Sequence, residues 1–157
     1  MYPSRHDAQL GGNQAFLNDL KKAIDGEYTA VTWYKTMEKM APTNKQKEKL
    51  KLIRKDEEKH YNQFSYLHYS LTGQQYQPKL TRECPSNHLE AIRAAFVDEQ
   101  ETTDFYLNIS DYQMQQSIKD MFRRAAADEQ NHAVWFLHFH FISSFRNNVV
   151  FNDNWHI

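Results

Sequence analysis

The chain has 157 residues and a formal charge of −1, from 19 basic and 20 acidic side chains. It is long enough to bury one core, and its charge balance gives no electrostatic case for nucleic acid or an anionic membrane. Four glycines and four prolines argue against a turn-rich β protein, and the lone Cys84 rules out an internal disulfide or a Cys-x-x-Cys metal centre.

A single cysteine suits a reducing, cytoplasmic compartment. The start, Met1-Tyr2-Pro3-Ser4, lacks the apolar core of a signal peptide. The most apolar run, Ala133 to Ile142, is too short for a membrane span and is interrupted by His138 and His140.

Residues 1–13 read as a tail ending in Gly11-Gly12, with Asn13 placed to cap a helix over 14–40 that Pro42 ends. Phe16, Leu20, Ala23, Glu27, Ala30, Tyr34 and Met37 recur at spacings of three and four, which is one buried stripe with a carboxylate at its centre. Thr43 and Gln46 fit a capping box that opens a second helix over 43–71, stopped by Gly73. Its stripe is Leu50, Ile53, Glu57, His60, Phe64, Leu67 and Leu71.

Residues 72–86, with Pro78 and Pro85, are long for a connection between bundle helices and predict a crossover that lets the third helix run parallel to the second. Ser86 or Asn87 can cap that third helix over 87–112, with the stripe Ile92, Ala95, Glu99, Thr102, Tyr106 and Ile109. Ser117 with Asp120 resembles another capping box for a fourth helix over 116–145, with Phe122, Ala125, Glu129, His132, Phe136 and Phe139. A tail, 146–157, is too short for a further long helix. One all-α domain, a four-helix bundle, is the expectation.

The second half repeats the first without a gap. A shift of 72 places Ala23 on Ala95, Glu27 on Glu99, Tyr34 on Tyr106 and Asp56 on Asp128. It also places Glu57 on Glu129, His60 on His132, Phe64 on Phe136 and His68 on His140. Such a repeat predicts helix pairs related by a pseudo-twofold axis. The identities gather at polar positions inside apolar stripes.

Glu57 and His60, like Glu129 and His132, are one helical turn apart, so their heads point the same way. Carboxylates in apolar stripes cost several kcal/mol each when buried uncompensated, and no Lys or Arg lies on these stripes. Two divalent cations balance four glutamates, and each histidine adds one nitrogen. That set suits iron, manganese or zinc rather than calcium or copper. Asp56 and Asp128 precede the motif glutamates and read as partners for the other ring nitrogen of a metal-bound histidine, each reaching the opposite motif. Tyr34 and Tyr106, two turns after Glu27 and Glu99, are placed to hydrogen-bond the carboxylates or exchange electrons with the metals.

The four-part set of Glu27 with Tyr34, Glu57-x-x-His60, Glu99 with Tyr106, and Glu129-x-x-His132 resembles the ferritin-like di-iron carboxylate superfamily, in its rubrerythrin-related branch, over about 14–145. The stretches Asp98-Glu99-Gln100-Glu101-Thr102 and Ala125 to His132 are similar to small stand-alone ferritin-like proteins of spore-forming bacilli. The resemblance implies two irons, or sometimes manganese, that react with O2 or H2O2 in ferroxidase, peroxidase, catalase or oxygenase chemistry. Glu27, Glu57, His60, Glu99, Glu129 and His132 would be the ligands, with Glu57 and Glu129 bridging.

A role in oxidative stress or sporulation, an electron donor of unknown identity and a homodimer are compatible with it. Two departures stand out. Thr102 occupies the step at which rubrerythrins carry a further glutamate. No rubredoxin-type centre is present to relay electrons. The expectation is a di-iron oxidoreductase of ferroxidase or peroxidase type. A manganese catalase-like enzyme and a bundle merely stabilised by metal remain the alternatives.

Overall fold

A computed structural model describes the backbone of residues 5–149 and the side chains of 14–145. It has four helices, α1 (Arg5–Met40), α2 (Asn44–Thr72), α3 (His88–Tyr112) and α4 (Gln116–Val149), and no strand among the described residues. None of these helices is long and apolar enough to cross a membrane. By backbone contacts the chain divides into two compact units. One holds α1 to Lys39 together with Lys47–Glu83, and the other holds Met40–Gln46 together with the chain from Cys84 onward.

The helix boundaries follow local chemistry. Gly73 adopts φ +70, the left-handed conformation that ends a helix, and its N–H donates to the Tyr69 carbonyl at 2.8 Å. Asn87 caps α3, its side-chain oxygen accepting from the N–H groups of Leu89 (2.9 Å) and Glu90 (3.1 Å).

Four expectations need correction. α1 begins at Arg5 rather than after Gly11-Gly12. Each glycine costs about 1 kcal/mol in a helix interior, which a helix already nucleated downstream tolerates because each added residue gains a hydrogen bond. α4 likewise runs to Val149, past the expected end at 145. Thr43 Oγ1 does accept from the Gln46 N–H at 3.2 Å, but the Gln46 amide turns away to His88 Nε2 at 3.0 Å, so the reciprocal half of the capping box is missing. Ser117 is no cap, because Ile118 and Lys119 donate instead to the Gln115 carbonyl, at 3.1 and 3.0 Å. The end of the chain, including Trp155-His156-Ile157, lies outside the described residues.

In the first unit, Phe16, Leu20, Ala23, Tyr34 and Met37 of α1 and Leu50, Ile53 and Phe64 of α2 are buried. Fully burying such a side chain stabilises by about 1.5–3 kcal/mol. Ala30 and Leu67 are only half-buried and Leu71 is exposed. A strict seven-residue spacing from Leu50 to Leu71 drifts about 20° per heptad around a straight helix, so the last position leaves the buried face and His68 takes its place.

The crossover is tied to α1. Asp25 accepts from the Lys79 N–H at 2.7 Å and the Tyr76 hydroxyl at 2.9 Å, and Thr29 Oγ1 accepts from the Thr81 N–H at 3.1 Å. The Trp33 indole donates to the Arg82 carbonyl at 3.0 Å while the Arg82 guanidinium covers the ring at 4.7 Å. These three positions are four residues apart on one helical face.

In the second unit, Ala91, Ile92, Ala95, Tyr106 and Ile109 of α3 and Ile118, Phe122, Ala125, Ala126, Ala133, Phe136 and Phe139 of α4 are buried. The edge of Tyr106 meets Phe122 at 5.5 Å between centroids.

Candidate metal centre

In the first unit, α1 presents Glu27 and α2 presents Glu57 and His60, and all three are buried. His60 Nδ1 lies 3.7 Å from Glu27 Oε1 and 3.6 Å from Glu57 Oε2. In the second unit, α3 presents Glu99 and α4 presents Glu129 and His132, again buried. His132 Nδ1 lies 3.6 Å from Glu99 Oε2 and 3.5 Å from Glu129 Oε2. Within each triad one donor atom from every side chain falls within 4.8 Å of the others.

These separations exceed a hydrogen bond. They match the distance between two ligands on one cation, since bonds of about 2.1 Å put ligand atoms about 3.0 Å apart at a right angle and about 3.6 Å apart at 120°. Charge points the same way. Even a protonated histidine would leave each triad of two carboxylates with net negative charge, and no lysine or arginine is buried among the described residues. A divalent cation supplies what each triad needs, and the mix of carboxylate and imidazole fits iron, manganese or zinc.

Two arginines pair with acids near the ligands. Arg54 takes Glu38 at 2.5 Å and also pairs with Glu58. The hydrogen bond to Glu38 is the main reason that the Arg54 guanidinium holds its proton more tightly than usual. Asp128 accepts from Arg124 Nη2 at 2.6 Å, one turn back on α4, and Asp56 is half-buried on α2. Tyr34 and Tyr106 are both buried. Thr102 is half-buried, while Thr103 is buried and its hydroxyl donates to the Glu99 carbonyl at 2.8 Å. His68 is buried with Nδ1 on the Gln74 carbonyl at 3.1 Å, and its repeat mate His140 is half-buried with Nδ1 3.3 Å from Ser144 Oγ.

Asp25, Thr29 and Trp33 lie off the predicted buried stripe of α1. Their four-residue spacing on α1 was the available signal for a second contact face.

A family model described as rubrerythrin matches residues 18–139. The chain belongs to the rubrerythrin family. An uncharacterized Bacillus subtilis (strain 168) protein, YhjR, is 44% identical over 137 residues, covering 87% of this chain and 90% of that protein. A hypothetical protein from Pyrococcus furiosus superposes with a TM-score of 0.69 at 21% identity, covering 81% of this chain and 89% of its own, a likeness of fold. With these matches the four helices and the long crossover are those of a ferritin-like four-helix bundle. The family and the buried glutamate and histidine triads together suggest a di-metal site.

Proposed function

We propose that this rubrerythrin-family chain is a di-iron carboxylate oxidoreductase of ferroxidase or peroxidase type, oxidised by O2 or H2O2. The observation that carries the reading is the buried triad of two carboxylates and one imidazole, built twice with no buried lysine or arginine among the described residues. Glu27, Glu57 and His60 would hold one ion and Glu99, Glu129 and His132 the other. A pair of ferrous ions would supply two electrons together, enough with two protons to reduce hydrogen peroxide to two waters.

The chain's own groups do the rest. Four glutamates neutralise the two cations, and the apolar stripes around them exclude bulk water. Tyr34 and Tyr106 would restrain the carboxylates or pass electrons. Asp56 and Asp128 would orient the imidazoles, Asp128 while also paired with Arg124. The lone Cys84 suits a reducing cytoplasm, and the reductant comes from outside the centre. A role in oxidative stress or sporulation and a homodimeric assembly accord with this reading.

The test is anaerobic Fe(II) loading followed by rapid mixing with O2 and with H2O2, observed by ferric absorption. Oxidation faster than for free iron, and lost in Glu57→Ala, supports the reading. Oxidation no faster than in buffer sinks it in favour of a metal-stabilised bundle. Dismutation of H2O2 to O2 by the manganese-loaded protein alone would favour the catalase-like alternative.

A further inference from the structure

One pocket in the first unit is unrelated to the packing of the core. It has a volume of about 300 Å³ and lies between α2 and the crossover. That is the lower end of the range for small-molecule sites. Tyr61, Ser65 and Tyr69 line it from one face of α2, at four-residue spacing, with Tyr66 beside them. Tyr76 and Pro78 close the crossover side, where Gln75 and Gln77 add amides.

Two walls are fixed. Tyr76 is held by its hydrogen bond to Asp25 at 2.9 Å and by the His68 ring at 5.6 Å, and Tyr61 rests against Tyr28 at 6.3 Å. The opposite side is open, with Tyr66 73% and Tyr69 51% exposed. Ser65 Oγ is buried and has no hydrogen-bond partner among the described residues, although a helical serine can ordinarily bond back to the preceding turn. The fold does not demand these side chains. In the repeat, Phe64 is kept as Phe136, but Tyr61, Ser65 and Tyr69 correspond to Ala133, Leu137 and Phe141.

Four tyrosine rings favour a flat aromatic guest. The serine hydroxyl and two amides favour hydroxyl or carbonyl groups on its rim. No charged side chain lines the pocket, so the guest is uncharged. The pocket is joined to the first triad along the chain: Tyr61 follows His60, Tyr28 follows Glu27, and the two rings lie 6.3 Å apart between centroids.

We propose that this pocket binds an uncharged hydroquinone-class aromatic that serves as the electron donor, an inference that rests on the di-iron reading above. The bound hydroquinone loses two electrons and two protons and leaves as the quinone. The electrons reduce two ferric ions to ferrous, and the protons pass to solvent on the open side.

The probe is 2,3-dimethyl-1,4-naphthoquinone, which has no free position for Cys84 to attack, and its reduced form. The metal-free protein should bind the quinone saturably, Ser65→Trp should fill the pocket and weaken binding at least tenfold, and the surface change Tyr66→Ala should weaken it severalfold. Glu101→Ala, an exposed position in the other half, should bind it as the parent does. In the iron-loaded, oxidised protein, anaerobic reduction of ferric iron should saturate with hydroquinone concentration and slow at least tenfold in Ser65→Trp.

Binding that is absent, or equal in the parent and both pocket variants, overturns the site. Ferric reduction at the same rate in Ser65→Trp overturns the donor role. Failure to take up iron would count against the proposed function instead, because binding to the metal-free protein reads the pocket independently. Thermal melts of both pocket variants separate lost binding from lost folding.

Discussion

The two halves of this protein agree where metal chemistry is expected and diverge where it is not. Glu27, Glu57 and His60 reproduce the spacings of Glu99, Glu129 and His132 to within about 0.1 Å, at 3.6–3.7 Å in one and 3.5–3.6 Å in the other. Behind the first triad, Asp25, Thr29 and Trp33 carry the crossover. Their repeat mates are Val97, Glu101 and Phe105, and Val97 is half exposed. Equal triads on unequal supports indicate that each triad is set by its own helix pair: one glutamate at mid-helix, and a Glu-x-x-His turn facing it.

The largest effect should come from breaking the likeness itself. Glu57→Ala and His132→Ala, one change in each half, should both lose metal, by more than the roughly 10–100-fold that losing an outer partner costs. Glu58→Ala and Glu101→Ala should retain it, because each is rotated about 100–200° around its helix from the ligand, and Glu58 already pairs with Arg54. Metal analysis of the four purified variants checks this. Equal loss in Glu58→Ala and Glu57→Ala would put the helical register in error.

Metal removal comes next. Four buried carboxylates without cations must repel or protonate, so the apoprotein should melt lower. A ligand at 1,000 times its Kd adds about 4 kcal/mol, and each kcal/mol moves Tm by about 2–4 °C for a chain of this size. Scanning calorimetry with and without Fe(II) under argon should therefore show a rise of roughly 10 °C. Coincident melts would contradict a buried site.

The supports should separate the halves more gently. Asp25→Ala removes the hydrogen bonds to the Tyr76 hydroxyl and the Lys79 N–H, each worth about 0.5–1.5 kcal/mol net. Val97→Ala, at the matching position, should be within about 0.5 kcal/mol of neutral. Urea titrations of the two variants measure the contrast, and equal losses would remove it.

The smallest effects are in pH. Burial lowers the His88 pKa below 6.5, so its folded form favours the neutral ring. That contribution is full above pH 6.5 and is lost as pH falls below it. Burial, and then the hydrogen bond to Asp25, raise the Tyr76 pKa above 10.0. Its contribution is full below pH 10 and is lost as pH rises beyond it. Urea midpoints from pH 5 to 11 should fall at both ends, and Tyr76→Phe should flatten only the alkaline fall.

Much of this was legible in the sequence because it is periodic. The stripes, the repeat and the Glu-x-x-His turns depend on helical geometry alone, and Glu27, Glu57, His60, Glu99, Glu129 and His132 all fall on buried faces. Helix ends were harder. Whether Gly11-Gly12 breaks a helix depends on the length of helix already formed downstream, and whether Gln46 completes a capping box depends on His88, 42 residues away. The crossover was readable as a connection but not as a strap or a pocket wall, since Tyr76 and Thr81 meet α1 through contacts more than 50 residues apart in the chain. Leu71 failed for a geometric reason, the slow drift of a seven-residue spacing around a straight helix.

The central claim is that each half holds one metal ion. It is tested most directly by anaerobic Fe(II) titration of the metal-free protein, with iron and protein quantified in the same samples. The account predicts saturation at about two irons per chain, falling in both Glu57→Ala and Glu129→Ala. Saturation at one iron per chain, or two retained when either glutamate is removed, would contradict it.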